Sequence, residues 1–350
     1  MLVLGQDREY IIELKIQNPM TSKRIFITGA SGCIGHYITE ALSLETDHEL
    51  YLLVRNPDKF KFDDLKCGDK RRAGITILEG DLQQIEDFGD LLKTMDAAIL
   101  AATAWGGQQE TFDINVVKTI ELMNLLDPTV CEQVIYFSTA SVLDRNNQLL
   151  TEAGELGTEY IYSKYTCLKR LSQLASAPKI TTLFPTLVLG GDETKPYSHL
   201  SSGLPDIVKW INLIRWFRAD GSFHFIHAQD IAQVVRYLID HPPSQALSAE
   251  PEWMSSGRLV LGCQPLSVNQ AVEEVCRYLG KQIYFRLPLF IWLANIFIVL
   301  FRIQMDPWSR FSLNYRHFIY HNPVNPTTFG LPTYCPTLTD VLKVSGISRD

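Results

Sequence analysis

Short apolar runs alternate along the chain with longer stretches in which apolar residues recur at helical spacing. The short runs are typical of strands buried on both faces, because no polar residue alternates within them. Strands separated by helices at this interval predict βαβ units and a parallel, doubly wound sheet of the α/β class. The predicted strands are 25–27, 50–54, 75–78, 97–102, 134–137, 180–184, 223–226 and 259–261; the predicted helices begin near 34 and cover 85–92, 114–126, 160–175, 207–217, 230–239, 267–279 and 338–344.

Three glycines follow the first strand and precede the first helix. Gly29 suits a tight turn, Gly32 leaves room for phosphates against the backbone, and Gly35 lets the helix pack closely on the strand. Free backbone N–H groups and the positive end of the helix dipole would then face a pyrophosphate. The alternative is a plain tight turn. The residues predicted to contact the dinucleotide here are Gly29, Ser31, Gly32, Cys33, Ile34 and Gly35.

The spacing of these glycines resembles the motif of the extended short-chain dehydrogenases/reductases, Thr-Gly-x-x-Gly-x-x-Gly, which Thr28 and the three glycines match. The resemblance covers nearly the whole chain. It implies a Rossmann-type doubly wound sheet, an NAD(P)-dependent reaction and a smaller C-terminal substrate lobe. We expect the cofactor domain in 20–191 and 222–264, and the lobe in 192–221 and 265–350.

Tyr160 and Lys164 lie four residues apart, so a helix places them on one face. Tyrosine has an unperturbed pKa near 10. An ammonium within about 4 Å contributes about 4 kcal/mol at an effective dielectric near 20, enough to bring that pKa toward 7. The pair is therefore a candidate general acid/base. Tyr162 would face the other way, and an ordinary surface helix is the alternative.

Hydroxyl residues follow the strand 134–137, at the sheet edge where open α/β sheets bind ligands. In the extended reductases the second of these residues polarises the substrate oxygen. The resemblance assigns this role to Thr139, with Ser138 in support, and implies that Asn115 of the central helix steadies the site. A hydroxyl-rich turn without a catalytic role is the alternative. The candidate catalytic residues are thus Thr139, Tyr160, Lys164 and Asn115.

The resemblance also implies further cofactor contacts. An acidic segment after the third strand would meet the adenine amine, small residues after the fourth strand would lie against the cofactor, and the segment after the sixth strand would lie beside the nicotinamide. Tyr160 and Lys164 would contact the nicotinamide ribose. The remaining contacts predicted in this way are Asp81, Leu82, Ala101, Ala102, Thr103, Ser138, Phe184, Pro185 and Thr186.

The choice between the two nicotinamide cofactors depends on the end of the second strand. An acidic residue there binds the ribose of NAD, whereas an arginine suits the 2′-phosphate of NADP. The strand ends with Val54-Arg55-Asn56, and no acidic residue follows before Asp58. The forked donors of arginine match a phosphate. Arg55 therefore predicts NADP, with a solvated arginine in an NAD enzyme as the alternative.

Composition limits the class of protein. The chain has 350 residues, a net charge of −7 and no basic stripe, which argues against nucleic-acid binding. Seven scattered cysteines without a Cys-x-x-Cys pair indicate reduced thiols in the cytoplasm, without a zinc or disulfide framework. Residues 1–19 have mixed charge and read as an N-terminal extension or a misplaced start, not a signal peptide.

One strongly apolar stretch, 287–303, is slightly shorter than a membrane-spanning helix and contains Pro288 and Asn295. We expect a buried or interface helix, and peripheral membrane attachment is the next alternative. The sequence also leaves open whether the protein forms a homodimer.

Departures from the family pattern narrow the reaction. Sugar-nucleotide dehydratases of this family carry an Asp-Glu pair where this chain has Ala140-Ser141, and epimerases carry arginine and asparagine at Phe184 and Leu187. Thr103, Ala104 and Trp105 would offer an aromatic wall, and Trp210, Phe217 and the stretch 287–303 would add apolar surface to the pocket. Packing of these aromatic residues in the core is the alternative. We expect an NADP-dependent oxidoreductase acting on an apolar carbonyl or alcohol. An NAD-dependent epimerase/dehydratase-type enzyme and a non-catalytic NAD(P)-binding assembly factor are the alternatives.

Overall fold

A computed structural model describes residues 22–60, 74–242, 257–300, 302 and 304–348. Its main sheet has seven parallel strands in the order β11-β6-β5-β4-β1-β2-β3. This is the doubly wound order, in which the order of the strands across the sheet reverses between β1 and β4. The strands are β1 (Arg24–Thr28), β2 (Glu49–Val54), β3 (Gly74–Glu79), β4 (Ala97–Leu100), β5 (Gln133–Phe137), β6 (Ile180–Pro185), β7 (Leu187–Leu189), β8 (Phe217–Arg218), β9 (Ser222–Phe223), β10 (Phe225–His227), β11 (Arg258–Leu261), β12 (Leu266–Ser267), β13 (Leu287–Pro288) and β14 (His317–Phe318).

Helices cover both faces of this sheet, as right-handed crossovers require. The described α-helices are α1 (Cys33–Glu45), α2 (Gly89–Leu92), α3 (Gln108–Phe112), α4 (Thr119–Leu125), α5 (Thr151–Glu155), α6 (Glu159–Leu171), α7 (His199–Ser202), α8 (Leu204–Ile214), α9 (Ala228–Asp240), α10 (Val268–Tyr278), α11 (Ile291–Leu300), α12 (Pro307–Tyr315) and α13 (Leu338–Val344).

The core lies on both sides of the sheet because successive residues of each strand point to opposite faces. Ile25 and Ile27 of β1 pack with residues of α1 and α9, including Leu42 and Val235. Phe26, between them, packs on the other face in a cluster with residues of α4 and α6. Burial on both faces explains why β1 carries no alternating polar residue.

Three small sheets complete the structure: β10 pairs with β7, β9 lies between β12 and β14, and β13 pairs with β8. All but β7 and β10 of these strands come from the segments predicted to form the lobe or from their borders. The domain boundaries themselves remain a prediction, and the extension 1–19 lies outside the described residues.

The structure corrects several predicted elements. The predicted helix 85–92 is a 3₁₀ segment, Leu82–Phe88, followed by the single turn of α2. The predicted helix 114–126 contains a π-helical segment, Asp113–Lys118, between α3 and α4. The fourth strand ends at Leu100, so that Ala101 and Ala102 lie in the loop that follows it. The helix predicted at 207–217 is α8, which gives way after Ile214 to the short strand β8.

The expectation of a buried or interface helix within 287–303 is corrected on one point, because three of its large side chains are not buried; an interface stays a prediction. Trp292, Ile296 and Leu300 of α11 are 60%, 50% and 67% exposed. Among the described residues, no helix combines the length and the apolar character needed to cross a bilayer.

Candidate active site

The glycine turn has the tight geometry that its sequence predicts. Gly29 has φ 77°, and the Gly32 N–H donates to the Gly29 carbonyl at 2.9 Å. A Cβ at Gly29 would lie 2.6 Å from the Ala102 nitrogen, and one at Gly35 would lie 2.1 Å from the Gly29 oxygen. Ser31 and Gly32 are exposed at the start of α1. The turn therefore presents an uncovered helix N-terminus, which is the setting that binds phosphate.

The same close packing places the loop after β4 against the turn. The Ala102 N–H donates to the Thr28 hydroxyl at 3.3 Å, and Ala101 is the nearest neighbour of Gly29 after Ala102. The two ends meet because β1 and β4 are adjacent at the point where the strand order reverses. Ligands bind at this point in open α/β sheets.

Thr139, Tyr160 and Lys164 converge at the carboxyl end of β5. The Thr139 hydroxyl hydrogen-bonds the Tyr160 phenol, and its oxygen also accepts from the Ser141 N–H at 3.4 Å. The Lys164 ammonium lies 5.9 Å from the centre of the Tyr160 ring and donates to the Phe137 carbonyl at 2.8 Å. Tyr160 and Lys164 both come from α6. Thr158 caps the N-terminus of this helix, where its side chain accepts from the Ile161 N–H. The three candidate groups therefore share one site.

Burial controls the titration of this site. Desolvation raises the pKa of Tyr160 to about 12, and the hydrogen bond with Thr139 opposes that rise. Desolvation also lowers the pKa of Lys164 to about 8, because its ammonium is only 2% exposed. The expected lowering of the tyrosine pKa is therefore wrong for this arrangement, in which desolvation is the largest cause and raises the pKa.

An indole ring covers the candidate tyrosine. Trp105 stacks on Tyr160 with ring centres 3.9 Å apart and planes at 15°, while remaining 64% exposed itself. The expectation that Trp105 forms an aromatic wall is consistent with this position. Trp210, in contrast, is 55% exposed on α8, and neither it nor Phe217 lines the cavity described below.

Asn115 is fully buried and fastens the loop after β4 to α6. Its carbonyl oxygen accepts from the Thr103 hydroxyl at 3.0 Å and the Ala104 N–H at 2.8 Å. Its amide donates to the Ala104 carbonyl at 3.1 Å and the Ser163 hydroxyl at 3.0 Å. The π-helical turn around Asn115 is a local rearrangement often found at functional sites. Asn115 therefore links the loop that carries Trp105 to the helix that carries Tyr160, without touching either ring.

The orphaned hydroxyl of Ser138 supports a ligand at this edge. Ser138 is 4% exposed, and within the described residues its hydroxyl has no hydrogen-bond partner. Buried hydroxyls are normally paired, so an unpaired one beside the site suits an absent polar ligand. Together with the glycine turn, whose lack of side chains leaves room for phosphates, this fits a nicotinamide dinucleotide.

The other predicted cofactor residues are placed in different ways. Arg55 is exposed directly after β2, and Asp81 caps the 3₁₀ segment by accepting from the Gln83 N–H at 2.9 Å. The side chains of Leu82 and Phe184 are buried in the core, so any contact from them would come through the backbone. Pro185 and Thr186 line the cavity beside Thr139.

A cavity of about 290 Å³ adjoins the catalytic group. Residues next to Thr139 and the segment Pro185–Leu187 form one side, and the other side is largely aromatic. The lining residues are Ala140, Ser141, Pro185, Thr186, Leu187, Ser222, Phe223, His224, Trp308, Arg316, Phe318 and Tyr320. A larger, open groove of about 1200 Å³ runs along α3 and includes Tyr162. None of the four catalytic candidates lines either space, but Ala140 and Ser141 of the smaller cavity directly follow Thr139, so that cavity is the candidate substrate pocket.

Two features of the site were not found from the sequence. Ser163 receives the Asn115 hydrogen bond, and its place in helical spacing between Tyr160 and Lys164 was an available signal. Lys195 pairs with Glu40 of α1 at 3.3 Å and lies 5.0 Å from the centre of the Tyr37 ring. This contact holds the segment after Gly190 against the glycine helix, and nothing local in the sequence indicates it.

Comparison with known proteins places the chain in a family. A model of the NAD dependent epimerase/dehydratase family matches residues 25–248. That is more than half of the sequence, so the chain belongs to this family of NAD-dependent enzymes. Its membership among the extended short-chain dehydrogenases/reductases, expected from the glycine motif, is confirmed.

Solved structures confirm the fold class. The crystal structure of gox2253 has a TM-score of 0.64 and 17% identity, covering 93% of this chain and 97% of that one. The dTDP-glucose 4,6-dehydratase from Bacillus anthracis in complex with NAD has a TM-score of 0.60 and 13% identity, covering 93% and 96%. At these identities the likeness shows the Rossmann-type fold alone.

Curated relatives match a smaller part. Isoflavone reductase homolog A622 of Nicotiana tabacum is 33% identical over 103 residues, 28% of this chain and 31% of the relative. A phenylcoumaran benzylic ether reductase of Ginkgo biloba is 31% identical over 107 residues, 29% of this chain and 32% of the relative. The chain therefore spans about a third of the length of the curated relatives that it matches.

Proposed function

We propose that the protein is an NADP-dependent oxidoreductase that interconverts a carbonyl and an alcohol on a small, apolar substrate. The observation that carries the proposal is the convergence of the Thr139 hydroxyl, the Tyr160 phenol and the Lys164 ammonium beside a glycine turn suited to phosphate. The reductase names of the curated relatives support an oxidoreductase in general.

The three side chains have separate tasks in this proposal. Nicotinamide, when bound, supplies the hydride chemistry. Thr139 donates a hydrogen bond to the substrate oxygen and fixes its position, and Tyr160 gives a proton to that oxygen or takes one from it. Lys164 stabilises the phenolate left after the proton has gone. Because the pKa of Tyr160 is raised to about 12, the phenol is protonated at neutral pH, which is the form that carbonyl reduction needs.

The residues named for cofactor binding would contact different parts of the dinucleotide. Backbone N–H groups at Ser31–Ile34 would hold the pyrophosphate, Ser138 and Lys164 would hydrogen-bond the nicotinamide half, and Asp81 would receive the adenine amine. Arg55 would pair with a 2′-phosphate. It is exposed at the end of β2, and among the described residues it has no ion pair that would compete.

The substrate class follows from the cavity. Phe223, Trp308, Phe318 and Tyr320 form an aromatic wall opposite the residues that follow Thr139. Aromatic surface of this kind favours an apolar ligand with few polar groups. A volume of about 290 Å³ suits a small molecule better than a sugar nucleotide.

Replacement of the proposed proton donor is the central test. Tyr160→Phe should reduce turnover of apolar ketones by about 10²–10⁴-fold, because the general acid is lost, while NADPH binding is kept. The measurement is loss of reduced-nicotinamide absorbance, with cofactor affinity from calorimetry. Tyr162→Phe, on the exposed side of the same helix, is the control and should keep full activity. Turnover that survives in Tyr160→Phe would reject the role, and a bound cofactor whose absorbance never changes with any substrate would favour an epimerase.

The cofactor preference of an Arg55 variant tests whether this residue binds the 2′-phosphate. Arg55→Ala should weaken NADPH binding by about 10- to 100-fold and leave NADH binding nearly unchanged, since a charged hydrogen bond to phosphate contributes about 1.5–3 kcal/mol. Lys93→Ala, an exposed lysine paired with Asp90, is the control for charge. Equal loss for both cofactors would show that Arg55 does not read the 2′-phosphate.

A further inference from the structure

A continuous exposed apolar surface lies outside the active site. It consists of the outer side of α8, the strand pair β8 and β13, and α11, and we call it the apolar face. Its most exposed large side chains include Trp210 and Leu213 of α8 at 55% and 54%, together with the α11 residues already described. The remaining members are Ile207, Tyr284, Phe285, Leu287 and Phe290.

Backbone and ring contacts join the parts of this surface. The Leu287 N–H donates to the Trp216 carbonyl at 2.8 Å, and the Leu289 N–H donates to the Arg218 carbonyl at 2.8 Å. The rings of Trp216 and Phe285 lie 5.1 Å apart. The end of α8 and the strip leading into α11 therefore form one surface, not two separate patches.

The apolar residues of this face are not needed for the core. On α8, Ile211 is 2% exposed and packs with Val275 and Leu342. Ile207, Trp210 and Leu213, which recur every three residues, point away from that cluster. The helix is thus apolar on both sides, although burial on one side satisfies the fold. Exposed apolar patches of this size on a monomer mark interaction surfaces.

The charged residues within the two segments that form the face are mostly basic, although Arg286 is paired with Glu273 at 3.0 Å. Residues 204–218 and 281–303 contain six basic residues and one acidic residue, in a chain whose net charge is −7. The stretch 281–303 has no acidic residue at all. Lys209, Arg218 and Arg302 are exposed, and within the described residues none of them has an ion pair. A positive rim around an apolar centre is complementary to a surface that is negative outside and apolar inside.

We propose that the apolar face docks on an anionic lipid membrane, with α11 lying in the plane of the interface. The ten residues of α11 span about 15 Å, half of a hydrocarbon core, so the helix is too short to cross the membrane. Tryptophan and tyrosine favour the headgroup boundary, where Trp210, Trp292 and Tyr284 would lie. A second copy fits less well, because a twofold contact would bring two positive rims together.

Vesicle sedimentation of the full-length protein tests the proposal. Binding should be strong to phosphatidylcholine vesicles containing phosphatidylglycerol, at least about tenfold weaker to phosphatidylcholine alone, and reduced by added salt. Trp292→Ser/Ile296→Ser should weaken binding at least about tenfold, and Arg218→Gln/Arg302→Gln should do so only for the anionic vesicles. Ile77→Ser and Lys93→Gln are the matched controls, an exposed apolar residue and an exposed basic residue outside the face.

Other outcomes would overturn the proposal. Equal sedimentation of wild type and the Trp292→Ser/Ile296→Ser variant, or no binding to either vesicle type, contradicts lipid docking. Sedimentation-velocity analysis distinguishes a second occupant: a dimer that dissociates in the same variant, without vesicle binding, would assign the face to self-association. Circular dichroism of each variant checks that it is folded, and the vesicle result does not depend on the proposed enzymatic activity.

Discussion

The active site and the apolar face depart from the usual distribution of side chains in opposite directions. The site buries Lys164 and Asn115 at 2% and 0% exposure, whereas the apolar face exposes Trp292 at 60%. Burying a charge costs free energy unless it is paired, and exposing a large apolar surface forgoes the gain of burial. Neither choice is explained by stability. Buried charged groups are typical of functional sites, and large exposed apolar patches are typical of interaction surfaces.

Replacing the buried lysine should have the largest effect. Lys164→Met should lower turnover by about 10²–10⁴-fold, because the phenolate loses its positive neighbour. It should also raise the free energy of unfolding of the cofactor-free protein at pH 7 by about 1–2 kcal/mol, after allowance for the lost bond to Phe137. Urea unfolding and steady-state kinetics measure the two effects.

The pH dependence of this gain has a definite sign. The pKa of Lys164 is about 8 in the folded protein and near 10.5 ordinarily, so the unfolded chain binds the proton first as pH falls. As pH falls from about 10.5 to 8, the free energy of unfolding of the wild type therefore decreases by about 3 kcal/mol in total. It does not recover below that range. The advantage of Lys164→Met should vanish above about pH 10.5. Lys169→Met, exposed on the same helix, should show no such window; a similar gain there would remove the contrast.

Loss of the buried amide should have a smaller effect on turnover than loss of the lysine, but a larger one on stability. Asn115→Ala would leave polar partners at Ala104 and Ser163 unsatisfied, so we expect about 2–4 kcal/mol lower unfolding free energy. Turnover should fall as well, because the loop carrying Trp105 is no longer fastened to α6. The exposed Asn314→Ala should change stability by less than about 0.5 kcal/mol. Equal stability of the two variants would show that the buried network does not hold the loop.

The apolar face should give the smallest change. Trp292→Ala should alter the free energy of unfolding by no more than about 0.5 kcal/mol, because its side chain packs little in the monomer. Trp308→Ala, a tryptophan only 9% exposed, should cost about 3–5 kcal/mol. Chemical unfolding of the pair checks this. A large loss in Trp292→Ala would mean that the residue supports the fold, and the contrast between the two regions would weaken.

Local sequence patterns were sufficient to predict the fold class and the main elements of the sheet. The apolar run of β1, the glycine spacing and the four-residue step from Tyr160 to Lys164 depend on neighbours in sequence, and each defines a backbone geometry by itself. The parallel arrangement of the main strands followed from their alternation with helices. For the same reason, the sequence determined the fold class and the membership of the family.

Tertiary structure decided what depends on residues far apart in the chain. The rise of the Tyr160 pKa comes from the loss of water that packing imposes, and the ring that stacks on Tyr160, Trp105, lies fifty-five positions earlier in the chain. The bond of Asn115 to Ser163 and the pairing of Lys195 with Glu40 likewise join distant segments. The exposure of α11 could not be read from its composition, because an apolar helix reveals how strongly it avoids water but not whether the rest of the chain covers it.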